Sequence, residues 1–237
     1  MPIEAVLFDF NGVIIDDEPI HNEAWREVLT PLGVTYTDEE FYGPLLGVPD
    51  YEFFRLLLER RGRTIDATQR AELQTAKNAI YAQLVKVRPV DPPGLADFVR
   101  DLAAHVPLGV VSGARRDEIE WHLDRLGLRA CFAAIVAAGE YAATKPDPAP
   151  FLAGLAAVEK AAGRKFAPGR VVAVEDSANG VRSSLAARMP TLGVIARIPQ
   201  RLLPGCFAYV NDFANLTHAS LSERLDRATP ILRGGAA

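Results

Sequence analysis

The chain has 237 residues, of which 49% are hydrophobic and 24% charged, and its formal net charge is −4 at pH 7. This composition provides enough apolar side chains for a large core, so it excludes an intrinsically disordered chain. The mildly acidic balance argues against general binding to nucleic acid or to anionic membranes.

Cysteine usage and the N-terminus indicate the compartment. The two cysteines, Cys131 and Cys206, have no metal-binding spacing and cannot form a disulfide framework, which favours a reducing environment. The N-terminus lacks the basic region of a signal peptide, and no apolar run approaches the roughly 20 residues of a membrane span. We therefore expect a cytoplasmic monomer or weak homodimer that binds neither nucleic acid nor membranes.

Short apolar runs that end in polar residues or glycine predict buried parallel strands. The runs cover residues 3–10, 108–112, 134–138, 171–174, 191–196 and, more weakly, 207–210. Apolar residues recur at helical spacing between them, as at Leu95, Phe98, Val99 and Leu102. This alternation predicts an α/β fold with a doubly wound, Rossmann-like parallel sheet, whose sites lie at the carboxyl ends of the strands.

Residues 18–87 interrupt the alternation. They show no convincing strand pattern, whereas helical spacing surrounds Trp25 and Phe53 and a long helical run covers residues 67–87. Turn-forming residues lie on both sides of this segment, at 16–19 and 88–94. We therefore predict a core domain formed by residues 1–16 and 89–237, with an all-helical domain, residues 17–88, inserted after the first strand.

Four predicted strand ends carry polar residues that a parallel sheet brings to one edge. They are Asp9-Phe10-Asn11-Gly12, Ser112-Gly113, the segment Thr144-Lys145-Pro146-Asp147-Pro148, and Glu175-Asp176-Ser177. Three carboxylates at one edge repel each other unless a cation lies between them, and hard oxygen ligands suit Mg²⁺. Together with a lysine and a hydroxyl, they predict a phosphoryl-binding site.

These motifs resemble those of the haloacid dehalogenase superfamily, and in particular the branch of β-phosphoglucomutase and related sugar-phosphate phosphatases. The resemblance covers nearly the whole chain. It includes the strand-end Asp-x-x-Gly-Val and following Asp-Glu-Pro, the Ser-Gly, the Lys-Pro-Asp-Pro and the Glu-Asp-Ser-x-x-Gly-Val, in this order. The inserted helices correspond to the α-helical cap of that branch.

The resemblance implies a role for each matching residue. Asp9 matches the nucleophile that accepts the phosphoryl group, and Ser112 and Lys145 match the groups that hold its oxygens. The Mg²⁺ ligands correspond to Asp9, the backbone carbonyl of Asn11, Glu175 and Asp176. Backbone N–H groups at Gly12 and Gly113 are expected to bind the phosphoryl oxygens, and His21 and Lys77 match cap positions that face the substrate.

Three other charged positions are interpreted from their sequence context. Arg115, which follows the Ser-Gly, is a candidate for binding a substrate anion, although a charge at a helix start is commonly solvated. Asp17 and Asp147 are expected to be turn or capping residues.

Asn11 departs from the family, which usually has a second aspartate at this position to protonate the leaving alcohol and activate water. An amide cannot transfer a proton near pH 7, and such a proton transfer contributes about 10²–10⁴-fold in rate. The expected function is a Mg²⁺-dependent phosphatase of a small phosphorylated metabolite, with sugar phosphates as candidate substrates, acting through an aspartyl phosphate. Two alternatives remain: a phosphomutase and a catalytically impaired phosphoester-binding protein. Asp50 argues against the phosphomutase, because it lies at the position where β-phosphoglucomutase has its cap arginine.

Overall fold

The structure is a computed structural model that describes residues 2–42, 45, 50–88 and 90–234. It forms two compact units: a core unit, Met1–Ile15 with Asp91–Ala237, and a helical unit, Asp16–Val90. Pro89, at the predicted domain boundary, lies outside the described residues. A backbone hydrogen bond of 2.7 Å from Asp16 N to Val90 O joins the two ends of the helical unit.

The core unit contains one six-stranded sheet in which neighbouring strands are all parallel. Its strands are β1 (Ala5–Phe8), β2 (Leu108–Val111), β3 (Phe132–Val136), β4 (Val171–Glu175), β5 (Thr191–Val194) and β6 (Ala208–Val210). They are arranged in the order β3-β2-β1-β4-β5-β6. Strands β2 and β3 therefore lie on one side of β1, and β4, β5 and β6 lie on the other side. This order confirms the predicted doubly wound sheet.

The predicted strand boundaries differ from the structure by one or two residues. β1 covers four residues rather than 3–10, and β3 begins two residues before the predicted run 134–138. Phe132 belongs to β3 because its backbone pairs with Leu108 of β2, and its ring packs edge-on against Phe8 at 5.8 Å. The strand ends before Ala137 because this residue forms a turn with Glu140, whose N–H donates to Ala137 O at 3.2 Å.

The helices are α1 (Glu18–Leu29), α2 (Asp38–Tyr42), α3 (Asp50–Glu59), α4 (Ala67–Val87), α5 (Leu95–Ala103), α6 (Arg116–Arg125), α7 (Ala149–Ala162), α8 (Ala178–Ala186) and α9 (His218–Gly234). Helices α5 to α9 belong to the core unit, in which α7 packs its apolar side chains on the sheet through residues such as Phe151 and Val158. Within the described part of the chain, no helix has the length and apolar character needed to cross a membrane.

Helices α1 to α4 form the helical unit around an aromatic core. The Trp25 ring stacks on Phe53 with centroids 4.9 Å apart and meets Phe54 edge-on at 4.2 Å. Tyr36 and Phe41 extend this cluster. No strand occurs among the described residues of this unit, so the predicted helical insertion is present as a compact body with its own core.

Candidate active site

The first polar loop follows β1 and begins at Asp9. Asp9 N still donates to Val174 O at 2.9 Å, so the backbone continues its pairing with β4 while the side chain is nine-tenths buried. The chain then turns sharply, because Phe10 O accepts hydrogen bonds from the N–H groups of Val13, Ile14 and Ile15. The turn holds the residues after Asp9 at the carboxyl end of the strand.

Gly12 allows this loop to approach the loop that follows β4. Its φ of +75° is a conformation that glycine adopts without strain. A Cβ atom at this position would lie 1.9 Å from Asp176 Oδ2, so no other residue fits without a rearrangement. The close contact places Gly12 beside Asp176, as expected from the parallel sheet.

Lys145 bridges two of the predicted carboxylates. Its Nζ donates to Asp9 Oδ1 and to Glu175 Oε1, each at 2.6 Å, and to Val111 O at 3.2 Å. Burial alone lowers the pKa of Lys145, but the charges of Asp9 and Glu175 outweigh this effect and raise the pKa above its ordinary value. The ammonium is therefore charged and held at the centre of the site.

Glu175 is oriented by the backbone that follows it. Its Oε2 accepts hydrogen bonds from Asp176 N, Ser177 N and Ser177 Oγ at 3.2–3.3 Å. Ser177 Oγ also accepts from Gly180 N at 3.0 Å and so caps α8. Burial raises the pKa of the Glu175 carboxyl to about 7, and Lys145 only partly offsets this rise.

The acidic group at this edge fits a divalent cation. Asp9, Glu175 and Asp176 are 9%, 0% and 7% exposed, and each offers a carboxylate oxygen within 4.8 Å of the others. When all three are ionised, their charge exceeds that of Lys145, and such an excess of buried negative charge is costly without a counter-ion. Hard carboxylate oxygens are the ligands that Mg²⁺ prefers.

Ser112 and Gly113 follow β2, which is the neighbour of β1 on the side opposite to β4. Ser112 is 1% exposed, and its Oγ accepts a hydrogen bond from Ala114 N at 3.0 Å. Since a hydroxyl both donates and accepts, this bond leaves the Ser112 O–H able to donate to an anion.

Arg115, the candidate for binding a substrate anion, pairs with a carboxylate near it in the sequence. Its guanidinium pairs with Asp117 in the first turn of α6, with Nε donating to Oδ1 at 2.9 Å, and 69% of its side chain is exposed. The described partner of Arg115 is thus a carboxylate in the helix that begins directly after it. Asp147 has the expected turn role, because its Oδ1 accepts from Ala149 N at 2.8 Å.

Sequence reasoning missed a network behind the Ser-Gly loop. Arg116 donates to Glu140 through Nε and Nη2 at 2.8 and 2.7 Å, and Tyr141 OH donates to Ser112 O at 3.1 Å. The available signal was the position of Glu140 and Tyr141, which lie five and four residues before Lys145 of the Lys-Pro motif.

The helical unit contains a second charged cluster. Lys77 is 1% exposed, and its Nζ contacts His21 Nδ1 at 2.6 Å and Asp50 Oδ2 at 2.7 Å. Asp17 Oδ2 contacts His21 Nε2 at 3.0 Å and accepts from Tyr81 OH at 2.6 Å. Since the ammonium has no lone pair, His21 Nδ1 accepts a hydrogen bond from Lys77, and the Nε2–H of His21 donates to Asp17.

The interpretation of Asp17 as a capping residue was therefore incomplete. Asp17 occupies the N-cap position of α1, but its side chain makes no capping hydrogen bond and is buried against His21 and Tyr81. The sequence stretch that aligns Asp50 with the arginine of the mutase includes residues 46–49, which lie outside the described residues. Asp50 itself begins α3 and pairs with Lys77.

Asp50→Asn should destabilise the protein by about 2 kcal/mol at pH 7. Removing one partner of a fully buried ion pair costs about 3–5 kcal/mol. The cost is smaller here because the Asp50 side chain is 34% exposed. The measurement is the midpoint of urea unfolding followed by far-UV circular dichroism.

The pH dependence of this difference has a defined sign. Burial raises the pKa of Asp50, but the charges of Lys77 and His21 outweigh it, so the pKa lies below its ordinary value. The stabilisation is therefore complete above the unfolded pKa of about 4 and is lost as the pH falls through the lower folded pKa. Glu52→Gln, which breaks an exposed ion pair with Arg55 on the same helix, is the control and should change stability by less than about 0.5 kcal/mol. An Asp50→Asn variant as stable as this control would contradict the prediction.

Comparison with known proteins supports one family. A sequence model described as haloacid dehalogenase-like hydrolase matches residues 3–188. The chain is 32% identical to the fructose-1-phosphate phosphatase YqaB of Escherichia coli over 190 residues, which are 80% of this chain and 95% of that protein. It is 29% identical to the β-phosphoglucomutase of Bacillus subtilis over 197 residues, covering 81% of this chain and 83% of that protein.

A solved structure shows the same fold. The β-phosphoglucomutase of Clostridium difficile superposes with a TM-score of 0.81, covering 95% of this chain and 98% of that chain, at 23% sequence identity. The matched family model includes β1 to β4 and therefore Asp9, Lys145, Glu175 and Asp176. The chain is a hydrolase that belongs to the haloacid dehalogenase-like family.

Proposed function

We propose that this hydrolase removes the phosphoryl group from a small phosphorylated carbohydrate, with Mg²⁺ as cofactor and an aspartyl phosphate at Asp9 as intermediate. The observation that carries the proposal is the buried Lys145 ammonium, which bridges Asp9 and Glu175 within 2.6 Å beside Asp176. A charged donor among carboxylates suits an anionic phosphoryl group with a divalent cation.

The residues of the core unit account for the chemical steps. A carboxylate oxygen of Asp9 forms a bond to phosphorus while the bond from phosphorus to the ester oxygen breaks. The departing alkoxide takes a proton from water, because the Asn11 amide cannot supply one. Lys145 and the Ser112 hydroxyl donate hydrogen bonds to the phosphoryl oxygens. Water then attacks phosphorus, which releases phosphate and regenerates Asp9.

The proposed Mg²⁺ ligands are the carboxylates of Asp9 and Asp176, with Glu175 and the carbonyl of Asn11 completing the protein donors. When bound, the ion would neutralise the negative charge that the phosphate brings to a site already rich in carboxylates. Lys145 would then be free to share its hydrogen bonds between Asp9 and the phosphate.

We assign the helical unit the role of a cap that selects the substrate, with His21 as the candidate contact. Lys77 already pairs with Asp50, so its charge is balanced within the unit. The Asp50 carboxylate beside this ammonium disfavours a second phosphate, and this supports a monophosphate substrate. Similarity to a fructose-1-phosphate phosphatase points to the same class of substrate.

A phosphomutase remains the second candidate because the chain is also similar to the β-phosphoglucomutase of Bacillus subtilis. A mutase must bind a bisphosphate intermediate, for which the Asp50–Lys77 pair is unsuited. The two activities therefore differ in whether added sugar bisphosphate is required.

The test is phosphate release from a panel of sugar monophosphates, sugar bisphosphates and p-nitrophenyl phosphate, with Mg²⁺. We expect release from at least one sugar monophosphate without any bisphosphate. Isomerisation that depends on bisphosphate would support the mutase. Ligand-induced thermal stabilisation without any turnover would support an impaired binding protein.

Asn11→Asp should raise the steady-state rate on the best substrate by at least about tenfold, the cautious end of general acid–base effects. The substitution is nearly isosteric and provides the group that protonates the leaving alcohol and activates water. With p-nitrophenyl phosphate, whose leaving group needs no proton, the unmodified protein should show a burst and accumulate phospho-Asp9, detected by intact-mass spectrometry. No gain for Asn11→Asp and no phosphorylated species in either protein would contradict a proton-transfer role for this position.

A further inference from the structure

The end of β2 is held by side chains from the segment that follows β3. Ser112 N donates to Val136 O at 2.9 Å, and Tyr141 OH donates to Ser112 O at 3.1 Å. Both groups of Ser112 therefore face the side of the sheet on which β3 and its following segment lie. On the other side, Lys145 Nζ donates to Val111 O at 3.2 Å while it also contacts Asp9.

The direction of the Ser112 carbonyl determines the direction of the Gly113 N–H, because the two groups belong to the same peptide bond. In a planar trans peptide, the C=O of one residue and the N–H of the next point in opposite directions. Because Tyr141 holds the Ser112 carbonyl toward the segment after β3, the Gly113 N–H points away from that segment. β1 and Asp9 lie on this side, since β2 is between β3 and β1.

The segment that carries Tyr141 is itself anchored. Glu140 accepts two hydrogen bonds from Arg116, and Arg116 Nη2 also donates to Ile135 O at 2.8 Å. Ala138 N donates to Ala114 O at 2.9 Å and so joins this segment to the Ser-Gly loop. With both ends of the turn fixed, Tyr141 has little freedom to leave the Ser112 carbonyl.

We propose that Tyr141 is a positioning residue, whose hydroxyl aims the Gly113 N–H at the phosphoryl group on its way to Asp9. The proposal rests on the proposed function, together with the expectation from the sequence that the Gly113 N–H donates to that group. A donor that is fixed before the reaction stabilises developing charge without reorganising, and losing such a donor outright costs about 10²–10³-fold in rate. If the Gly113 N–H is still present but no longer held in its orientation, we expect the rate to fall about tenfold.

The variant is Tyr141→Phe, which removes only the hydroxyl. We expect kcat for the best substrate to fall about tenfold with KM nearly unchanged, because the donor acts mainly in the transition state. Inhibition by orthovanadate, which adopts a five-coordinate geometry, should weaken by a similar factor. The matched control is Tyr209→Phe. Tyr209 lies on β6, and its hydroxyl also donates to a backbone carbonyl, Leu203 O, at 2.7 Å. This control should lose stability to a similar extent but keep wild-type kcat.

A direct readout of the Gly113 amide separates positioning from general structure. Ser112-Gly113 is the only Ser-Gly pair in the sequence, so ¹³C-carbonyl serine and ¹⁵N-glycine labelling by cell-free synthesis isolates this one amide. We expect its resonance to shift when inorganic phosphate and Mg²⁺ are added to the wild-type protein and to Tyr209→Phe, and to shift less in Tyr141→Phe.

The outcomes distinguish the two proposals. Full kcat and an unchanged phosphate-induced shift in Tyr141→Phe, with an active wild-type protein, would overturn the positioning role and leave the function standing. An inactive wild-type protein whose Gly113 amide responds to phosphate only with Tyr141 present would overturn the function and support the positioning role. An inactive wild-type protein with no response would overturn both.

Discussion

Asp9→Asn should lower kcat for every phosphoester by at least about 10⁴-fold, since losing a catalytic nucleophile has effects of this size. The amide keeps the shape of the side chain, but its oxygen is a weak nucleophile and accepts the Lys145 hydrogen bond without a negative charge. The substitution also removes one of three clustered carboxylates, and Glu175 still pairs with Lys145. We therefore expect the fold to persist and the melting temperature to change little.

Two measurements check this prediction. Steady-state phosphate release gives the loss of rate, and intact-mass spectrometry during turnover of p-nitrophenyl phosphate shows whether a phosphoenzyme forms. The control is Asp97→Asn, a carboxylate of α5 whose side chain is 95% exposed, which should leave both readouts unchanged. A phosphorylated species in Asp9→Asn would place the covalent intermediate on another residue.

Removal of divalent cations should lower activity by at least about 10³-fold, corresponding to about 4 kcal/mol of barrier. Without a cation, a phosphate would have to approach three buried carboxylates, and the Lys145 ammonium beside them carries a single positive charge. EDTA treatment followed by Mg²⁺ should restore the wild-type rate. Asp176→Asn should remain inactive at the same Mg²⁺ concentration, because it lacks one charged ligand.

Stability provides a readout of the metal that does not depend on turnover. Mg²⁺ at 100 times its dissociation constant should stabilise the wild-type protein by about 2.7 kcal/mol. The same concentration should stabilise Asp176→Asn much less. Without metal, Asp176→Asn should be at least as stable as the wild-type protein, because repulsion among the carboxylates is reduced. Full activity of a metal-free protein, or equal Mg²⁺ stabilisation of both proteins, would exclude the proposed site.

The sequence was sufficient to predict the doubly wound sheet and the edge at which polar residues gather. Strands such as β1 and β4 are buried along their whole length, so they must be apolar runs, and the first charged residues after them mark their carboxyl ends. For this reason Asp9, Glu175 and Asp176 could be predicted to lie together from their positions in the chain. Strand ends were less certain, as β3 shows, because the alanine-rich run beyond it has the composition of a strand but turns at Glu140.

Only the tertiary structure decided which partner each charged side chain takes. Arg115 and Arg116 are adjacent in the sequence, yet Arg115 pairs with Asp117 two residues away and Arg116 anchors the segment after β3. Asp17 has the sequence position of a helix cap but the contacts of a buried histidine partner. Lys145 reaches Asp9 across 136 residues of sequence because the loop after β3 is held in place by several hydrogen bonds.

The physical reason for this division is the range of the interactions. Apolar burial depends on the local pattern of side chains, which repeats along a strand or helix and can be read from neighbouring residues. A buried charge is stable only when a partner lies within a few ångströms, and long side chains can choose among several partners that folding brings near. The pattern of apolar residues thus determined the sheet and its functional edge, whereas the pairing of Lys145, Lys77 and Tyr141 was decided when the folded chain brought their partners within reach.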